Sequence, residues 1–276
     1  MIPLSRNRDP NLIHHNFTGN LKRKLERELL ENQRKILRGE IERHAFESDR
    51  WKAAKDQLKV ETRDKCAYCE APTSLVAYGD VEHYRPKKTY WWLAYSYENY
   101  LLSCQLCNQK FKKAKFPVKN NRMGGPRITR NTKDEHIERL AGRIAPDPLD
   151  QDDHDAFVRL HKRERPYLLN PYVDKPEDYY AWRADDVLSE VELVPIHSKP
   201  SSKPFVKAAV KDYGLNRQEL REARYGHYLS FKTFKNVLRE ASISAPTRTQ
   251  TEHVVKEMKS DKSPFAGMIR YFDRTL

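Results

Sequence analysis

The 276-residue sequence predicts an α+β fold: a mainly helical chain around a small module of two strands and a helix stapled by zinc. Three observations carry that expectation. All four cysteines fall in two matched pairs, Cys66-Ala-Tyr-Cys69 and Cys104-Gln-Leu-Cys107. Around those pairs the order reads knuckle, strand, loop, strand, helix. On either side, apolar residues recur at helical spacing between charged ones. The sequence therefore divides into an N-terminal helical arm over 1–59, the cysteine module over 60–120, and a mostly helical region with loops over 121–276.

Residues 1–18 read as an irregular leader. From Asn20 the spacing of Leu21, Leu25, Leu29, Leu30, Ile36 and Leu37 predicts a helix, with Gly39 as its stop. A second helix is expected from about Ser48, as its N-cap, through Trp51, Ala54 and Leu58. The leucine stripe reads as core, with partner docking as the other use of such an arm. In the module, 76–83 reads as extended chain bent at Gly79, and Pro86 breaks regular structure. Tyr100–Ser103 reads as a second strand, and Gln105 to about Lys113 as a helix.

Residues 121–165 loosen around Gly124-Gly125-Pro126, Pro146 and Pro148. The acidic run 150–155 reads as a solvated loop rather than a cation site, since no glycine pattern fixes ligand geometry. Leu168-Leu169-Asn170-Pro171 suggests a strand ending in a turn. Asn216 and Glu219 suggest a capping box before Leu220, Ala223, Tyr228, Phe231 and Phe234. A last helix is expected around Val254, Val255 and Met258.

Lys and Arg total 52 against 39 Asp and Glu, a formal charge of +13. Such an excess suits an anionic partner, usually nucleic acid, where the charges cluster. The longest apolar run, Trp91 to Tyr95, is far too short for a bilayer, and the start has no apolar signal core. The expectation is a cytoplasmic protein, where thiols stay reduced and paired cysteines favour metal over disulfides.

The cysteine spacing suits one tetrahedral zinc held by Cys66, Cys69, Cys104 and Cys107. Between the pairs lies Glu82-His83, and Asn108 directly follows Cys107. Glu82 and Asn108 supply two oxygen donors of the kind Mg²⁺ or Mn²⁺ takes, with places left for waters and phosphate oxygens. His83, on the other side of an extended segment and with an unperturbed pKa of about 6.5, reads as a general base. Asn99 is placed to hydrogen-bond backbone across the loop and orient that base. Lys87, Lys110, Lys113 and Lys115, with Lys88, Lys112 and Lys119, read as phosphate contacts. Arg85 reads as a phosphate clamp or as a salt-bridge partner of an acidic neighbour. Trp91, Trp92, Tyr95 and Tyr97 read as core rather than as base-stacking platforms.

The run Cys-x2-Cys, Glu-His-x-x-Pro-Lys and Glu-Asn-x4-Cys-x2-Cys-Asn-x-Lys closely resembles the zinc-stapled HNH endonucleases, whose active site is a ββα-metal unit. The resemblance puts the general base on His83, the acidic metal ligand on Glu82, the middle asparagine on Asn99 and the last motif position on Asn108. Val81-Glu82-His83-Tyr84-Arg85-Pro86-Lys87, Asn108-Gln109-Lys110 with Phe116-Pro117, Leu169-Asn170-Pro171 and Tyr213-Gly214-Leu215-Asn216-Arg217 resemble one branch more closely, the PtuB-like HNH subunits of retron and Septu-type anti-phage systems. That likeness covers roughly residues 60–240. It implies a defence role and a PtuA-like ATPase partner, with a retron reverse transcriptase and its RNA–DNA product as further partners. The substrate stays open between duplex DNA, single strands and RNA such as tRNA. Two other readings stand beside this one: a non-catalytic, zinc-containing nucleic-acid-binding adaptor, and a subunit active only after release from its partner.

Overall fold

Leucines at helical spacing build the first long element of the computed structural model, which describes residues 1–74 and 78–276. This is α1 (Gly19–Arg38). Leu25 and Leu29 pack with Ala94 and Tyr95, while Leu30 packs with Ile137 and Ala141. The helix stops at Gly39, whose φ of 78° is the left-handed conformation that glycine adopts without cost. The Glu40 N–H then reaches back to the Lys35 carbonyl, satisfying an end-of-helix acceptor.

Where one further helix is expected, two short ones form, α2 (Ser48–Lys52) and α3 (Lys55–Thr62). Ser48 is the first helical residue rather than the cap, and the break at Ala53–Ala54 lets Ala54 and Leu58 bury together against Ile13, Phe17, Tyr97 and Tyr100. The first 18 residues, irregular apart from a 3₁₀ turn at His15–Phe17, are nonetheless packed. Met1 and Ile2 are buried, the Leu4 N–H bonds the Pro171 carbonyl, and Arg6 pairs with Glu61.

β1 (Asp80–His83) and β2 (Tyr100–Ser103) form an antiparallel pair with Glu82 opposite Leu101 and His83 opposite Tyr100. Of the extended segment expected here, Val76 and Ala77 lie outside the described residues. The helix expected after the second cysteine pair is a π-helix, Leu106–Lys112, closed by the Lys113 N–H to the Asn108 carbonyl at 2.7 Å. Such wide turns are rare and are frequently found at functional sites.

α4 (Asp134–Leu140) and α5 (Gln151–Glu164) follow. The acidic run is therefore the start of a helix and not a solvated loop. Asp150 caps α5 by accepting the Asp152 and Asp153 N–H groups, and the next carboxylates lie at the positive end of the helix dipole. A second antiparallel hairpin, β3 (Tyr180–Asp185) and β4 (Glu190–Pro195), lies in the region read as helix and loop. Leu168–Pro171 is not a strand. It ends in a turn in which the Asn170 carbonyl accepts the Val173 and Asp174 N–H groups.

α6 (Lys203–Asp212), α7 (Gln218–Arg239), α8 (Ala245–Met258) and α9 (Ala266–Thr275) complete the chain. Asn216 does not cap α7. Its side chain both accepts from the Leu193 N–H and donates to the Leu193 carbonyl, fastening the α6–α7 turn to β4. The neighbouring Gly214 has φ of +66°, and a Cβ there would meet the Phe111 ring at 2.6 Å. That close approach seats the turn on the π-helix. The principal core joins Cys66, Tyr68, Tyr84, Leu101 and Cys107 to Phe205, Tyr213, Phe231, Ile269 and Phe272. Among the described residues, no helix is long and apolar enough to cross a membrane.

Candidate active site and cysteine cluster

The first knuckle closes when the Cys66 N–H bonds the Ala71 carbonyl and the Glu70 N–H bonds the Cys66 carbonyl. An Ala67 N–H to the Leu102 carbonyl at 2.9 Å ties it to β2. In the second knuckle the Cys107 N–H points at the Cys104 Sγ at 3.5 Å, and the chain runs straight into the π-helix. All four cysteines are free thiols, and their sulfurs lie within 4.8 Å of one another, with Cys69 and Cys104 at 3.9 Å. A tetrahedron with Zn–S bonds of ~2.3 Å has edges of about 3.8 Å, so the four residues fit one zinc. Hydrogen bonds from the neighbouring thiols hold Cys69 and Cys104 below the usual thiol range, while burial pushes Cys66 up.

The cluster has a partner from outside the module. Arg217 directs Nη1 to the Cys107 Sγ at 3.6 Å and Nη2 to the Cys69 Sγ at 3.8 Å, touching one sulfur from each knuckle. The same Nη1 also bonds the Gly214 carbonyl. The branch-like motif Tyr213–Arg217 thus ends on the cysteine cluster.

On the other side of the π-helix, Glu82, His83 and Asn108 line one open cleft of about 250 Å³, together with Trp51, Val81, Pro86, Lys87, Lys88, Lys113 and Ala114. Successive strand residues normally face opposite ways, but β1 ends at His83, and both neighbours open onto the cleft. The His83 Nε2 lies 2.9 Å from the Ala94 carbonyl. A carbonyl only accepts, so Nε2 carries the proton and Nδ1 keeps its lone pair. Trp51 and Tyr100 flank the ring edge-on at 5.0 and 5.1 Å. Burial lowers the His83 pKa to about 3, and the Lys87 and Lys112 charges act in the same direction against the Ala94 bond. The imidazole is therefore neutral at cell pH.

Glu82 is buried, which pushes its carboxyl upward, and Lys112 opposes that push through a charge contact to Oε1 that lacks hydrogen-bond alignment. The Lys112 ammonium also donates to the His83 carbonyl at 2.9 Å. Glu82 and Asn108 together offer one carboxylate and one amide oxygen, a donor set that a hard divalent cation completes with water and phosphate. Among the described residues, the cysteines are the one group of three or more His, Cys, Asp or Glu side chains placed to share a metal.

Asn99 lies beneath the cleft, fully buried. Its Oδ1 accepts from the Arg85 N–H at 2.8 Å, and its Nδ2 donates to the Arg85 and Leu93 carbonyls at 3.0 and 3.2 Å. It clips the loop that follows His83 against the start of β2.

Of the two sequence readings of Arg85, the structure shows the salt bridge and not the phosphate clamp. Its guanidinium is fully buried, bonded to Glu164 Oε2 at 2.7 and 2.9 Å and packed over Phe157 and Tyr84. It neutralises an interior carboxylate and does not reach phosphate. Lys112, read as a phosphate contact, is likewise interior. Lys87 lies over the Trp51 ring at 4.0 Å, and Lys113 lines the cleft. Lys110 and Lys115 are exposed, and Lys115 pairs with Asp212. Trp92, Tyr95 and Tyr97 are buried. Sequence reasoning missed Trp51 as a wall of the cleft, and nothing near it in the chain signals that place. For Lys112, the i, i+4 spacing from Asn108 is the signal that marks it as sharing a helix face.

No protein-family model matches the chain. Septu protein PtuB of Bacillus mycoides (strain KBAB4) is 29% identical over 194 residues, which are 65% of this chain and 52% of that protein. The matched stretch thus covers about half the length of that relative.

Proposed function

We propose that this chain is a metal-dependent HNH-type endonuclease that hydrolyses phosphodiester bonds, and that it serves as the effector subunit of a Septu- or retron-type anti-phage system under a PtuA-like ATPase. The observation that carries the chemistry is the convergence of His83, Glu82 and Asn108 on one cleft rimmed by Lys87, Lys88 and Lys113. The likeness to a protein named Septu protein PtuB supports the biological setting.

In this reading His83 Nδ1 takes a proton from water, its ring fixed by the Nε2–H bond to Ala94. The neutral imidazole needs no prior deprotonation to do so. Glu82 and Asn108 would hold Mg²⁺ or Mn²⁺, which would supply charge to offset that on the phosphate and the leaving oxygen. Lys87 and Lys113 orient the phosphodiester from the rim, and Asn99 keeps the base in register. Cys66, Cys69, Cys104 and Cys107 hold a structural zinc that makes β2, the π-helix and Asn108 one rigid piece.

The test is His83→Ala, assayed with Mg²⁺ on plasmid, single-stranded DNA and total RNA, with the partner ATPase absent and then present. The expected result is loss of cleavage with zinc content and unfolding transition retained. Cleavage by the variant at the unaltered rate overturns the mechanism. Nucleic-acid binding without scission by the unaltered chain under all conditions favours the adaptor instead.

A further inference from the structure

The formal excess of positive charge is not spread over the chain. From Asn99 to Lys133 there is no acidic residue and there are nine Lys and Arg. The remainder of the sequence holds 43 cations against 39 carboxylates. Two of the nine are accounted for, because Lys112 is buried on Glu82 and Lys115 pairs with Asp212. The other seven are exposed, and among the described residues none makes an ion pair. The arginines of α1 behave differently: Arg23, Arg27, Arg34 and Arg38 each face a carboxylate.

The segment is also held in place. It leaves the cleft at Lys113 and is pinned by buried Met123, whose N–H bonds Glu164 Oε1 at 3.0 Å. It then passes so close to Trp92 that a Cβ on Gly125 would stand 2.5 Å from the ring. Two arginines of α1 grip its far end through main-chain carbonyls, Arg38 to Arg130 and Arg34 to Thr132. There a shallow groove of about 530 Å³ opens, lined by Arg127, Thr129, Thr132, Lys133 and Arg139, with Glu135 as its acid. A long loop without secondary structure of its own, yet fixed by packing, is the kind that carries function.

We infer that residues 113–133 form a track for a nucleic-acid backbone, leading a strand from the candidate cleft across Trp92 to the groove at Arg127 and Lys133. The partner chemistry is the phosphodiester polyanion, contacted without sequence reading. This rests on the nuclease reading for its starting point, the cleft, but concerns binding outside it.

The test measures binding of the full chain without Mg²⁺ to fluorescein-labelled duplex DNA, single-stranded DNA and single-stranded RNA over a series of salt concentrations. Arg127→Gln, Arg130→Gln and Lys133→Gln are combined in one variant. A control variant combines Lys203→Gln, Lys207→Gln and Lys211→Gln, exposed on α6 and equal in charge change. Loss of three phosphate contacts lowers the log–log salt slope by about 2 to 3 and weakens binding at least several-fold at low salt. That loss in the first variant alone, on at least one probe, is expected, and the probe affected identifies the polymer. Equal loss in both variants, no change in either, or no binding by the unaltered chain overturns the track. Cleavage assayed separately with Mg²⁺ keeps the two ideas apart. Intact cleavage with an unaffected salt slope removes the track alone, and a track-dependent slope without cleavage removes the nuclease reading alone.

Discussion

Lys112 and Glu82 meet inside the module, the fully buried ammonium against the carboxylate oxygen, with the same ammonium donating to the main-chain carbonyl of His83. One side chain of the π-helix thereby holds both neighbouring residues at the end of β1. Lys112→Met leaves a buried carboxylate without its counter-charge, which costs about 3–5 kcal/mol. Urea unfolding with zinc present is expected to show that loss, and Glu82→Gln added to Lys112→Met to recover much of it. A single variant as stable as the unaltered chain would remove the pair from any structural role.

Asn99 satisfies two main-chain carbonyls with one amide nitrogen. Asn99→Asp replaces that donor with oxygen and leaves the Arg85 and Leu93 carbonyls facing it unbonded. Each unsatisfied group costs about 1–3 kcal/mol. Amide exchange should rise at Tyr84 and Arg85, and cleavage should fall while the cysteines keep their zinc. Unchanged exchange there would show that the clip does not hold the loop.

Arg217 spans one sulfur from each knuckle and so would bear on how tightly the proposed zinc is kept. Loss of such outer contacts typically weakens metal affinity by about 10- to 100-fold. Arg217→Gln is expected to release zinc faster to a chromophoric chelator, and Arg217→Lys to fall between, since a compact ammonium keeps the charge but lacks the planar fork that sends one nitrogen to each sulfur. Identical affinity in all three proteins would reduce the contact to packing.

Acid stability follows from the His83 ring. Its folded pKa of about 3 lies below the unfolded value of about 6.5, so between those limits the unfolded chain binds a proton that the folded chain does not. The contribution is whole above pH ~6.5 and declines as pH falls toward 3, by up to about 1.4 kcal/mol per pH unit. His83→Gln removes the titrating group and should flatten the acid limb of urea midpoints. Parallel limbs in the two proteins would contradict this.

The cysteine knuckles, the β1–β2 pair and the neighbours Glu82, His83 and Asn108 were legible because each depends on short spacing. Two thiols separated by two residues can share a metal wherever the chain goes, and Asn108 follows Cys107 into the cleft whatever surrounds it. The stop at Gly39 was equally local. The π-helix was legible only as a helix, because the extra residue in its turn adds no change in apolar spacing that a short segment can display. The β3–β4 hairpin was hidden by charged ends and by helix-forming residues around it.

Local chemistry along the chain determined that this protein has two cysteine pairs at metal-ligand spacing and a histidine beside a carboxylate. Tertiary structure decided which charges are interior. Arg85 looks solvent-facing until Glu164 arrives from 79 residues away, and Arg217 reaches thiols 110 and 148 residues earlier. Trp51 enters the cleft from the N-terminal arm in the same way. The reason is physical: spacing sets backbone geometry within a few residues, whereas a charge can leave water only where packing delivers a distant partner to offset its desolvation.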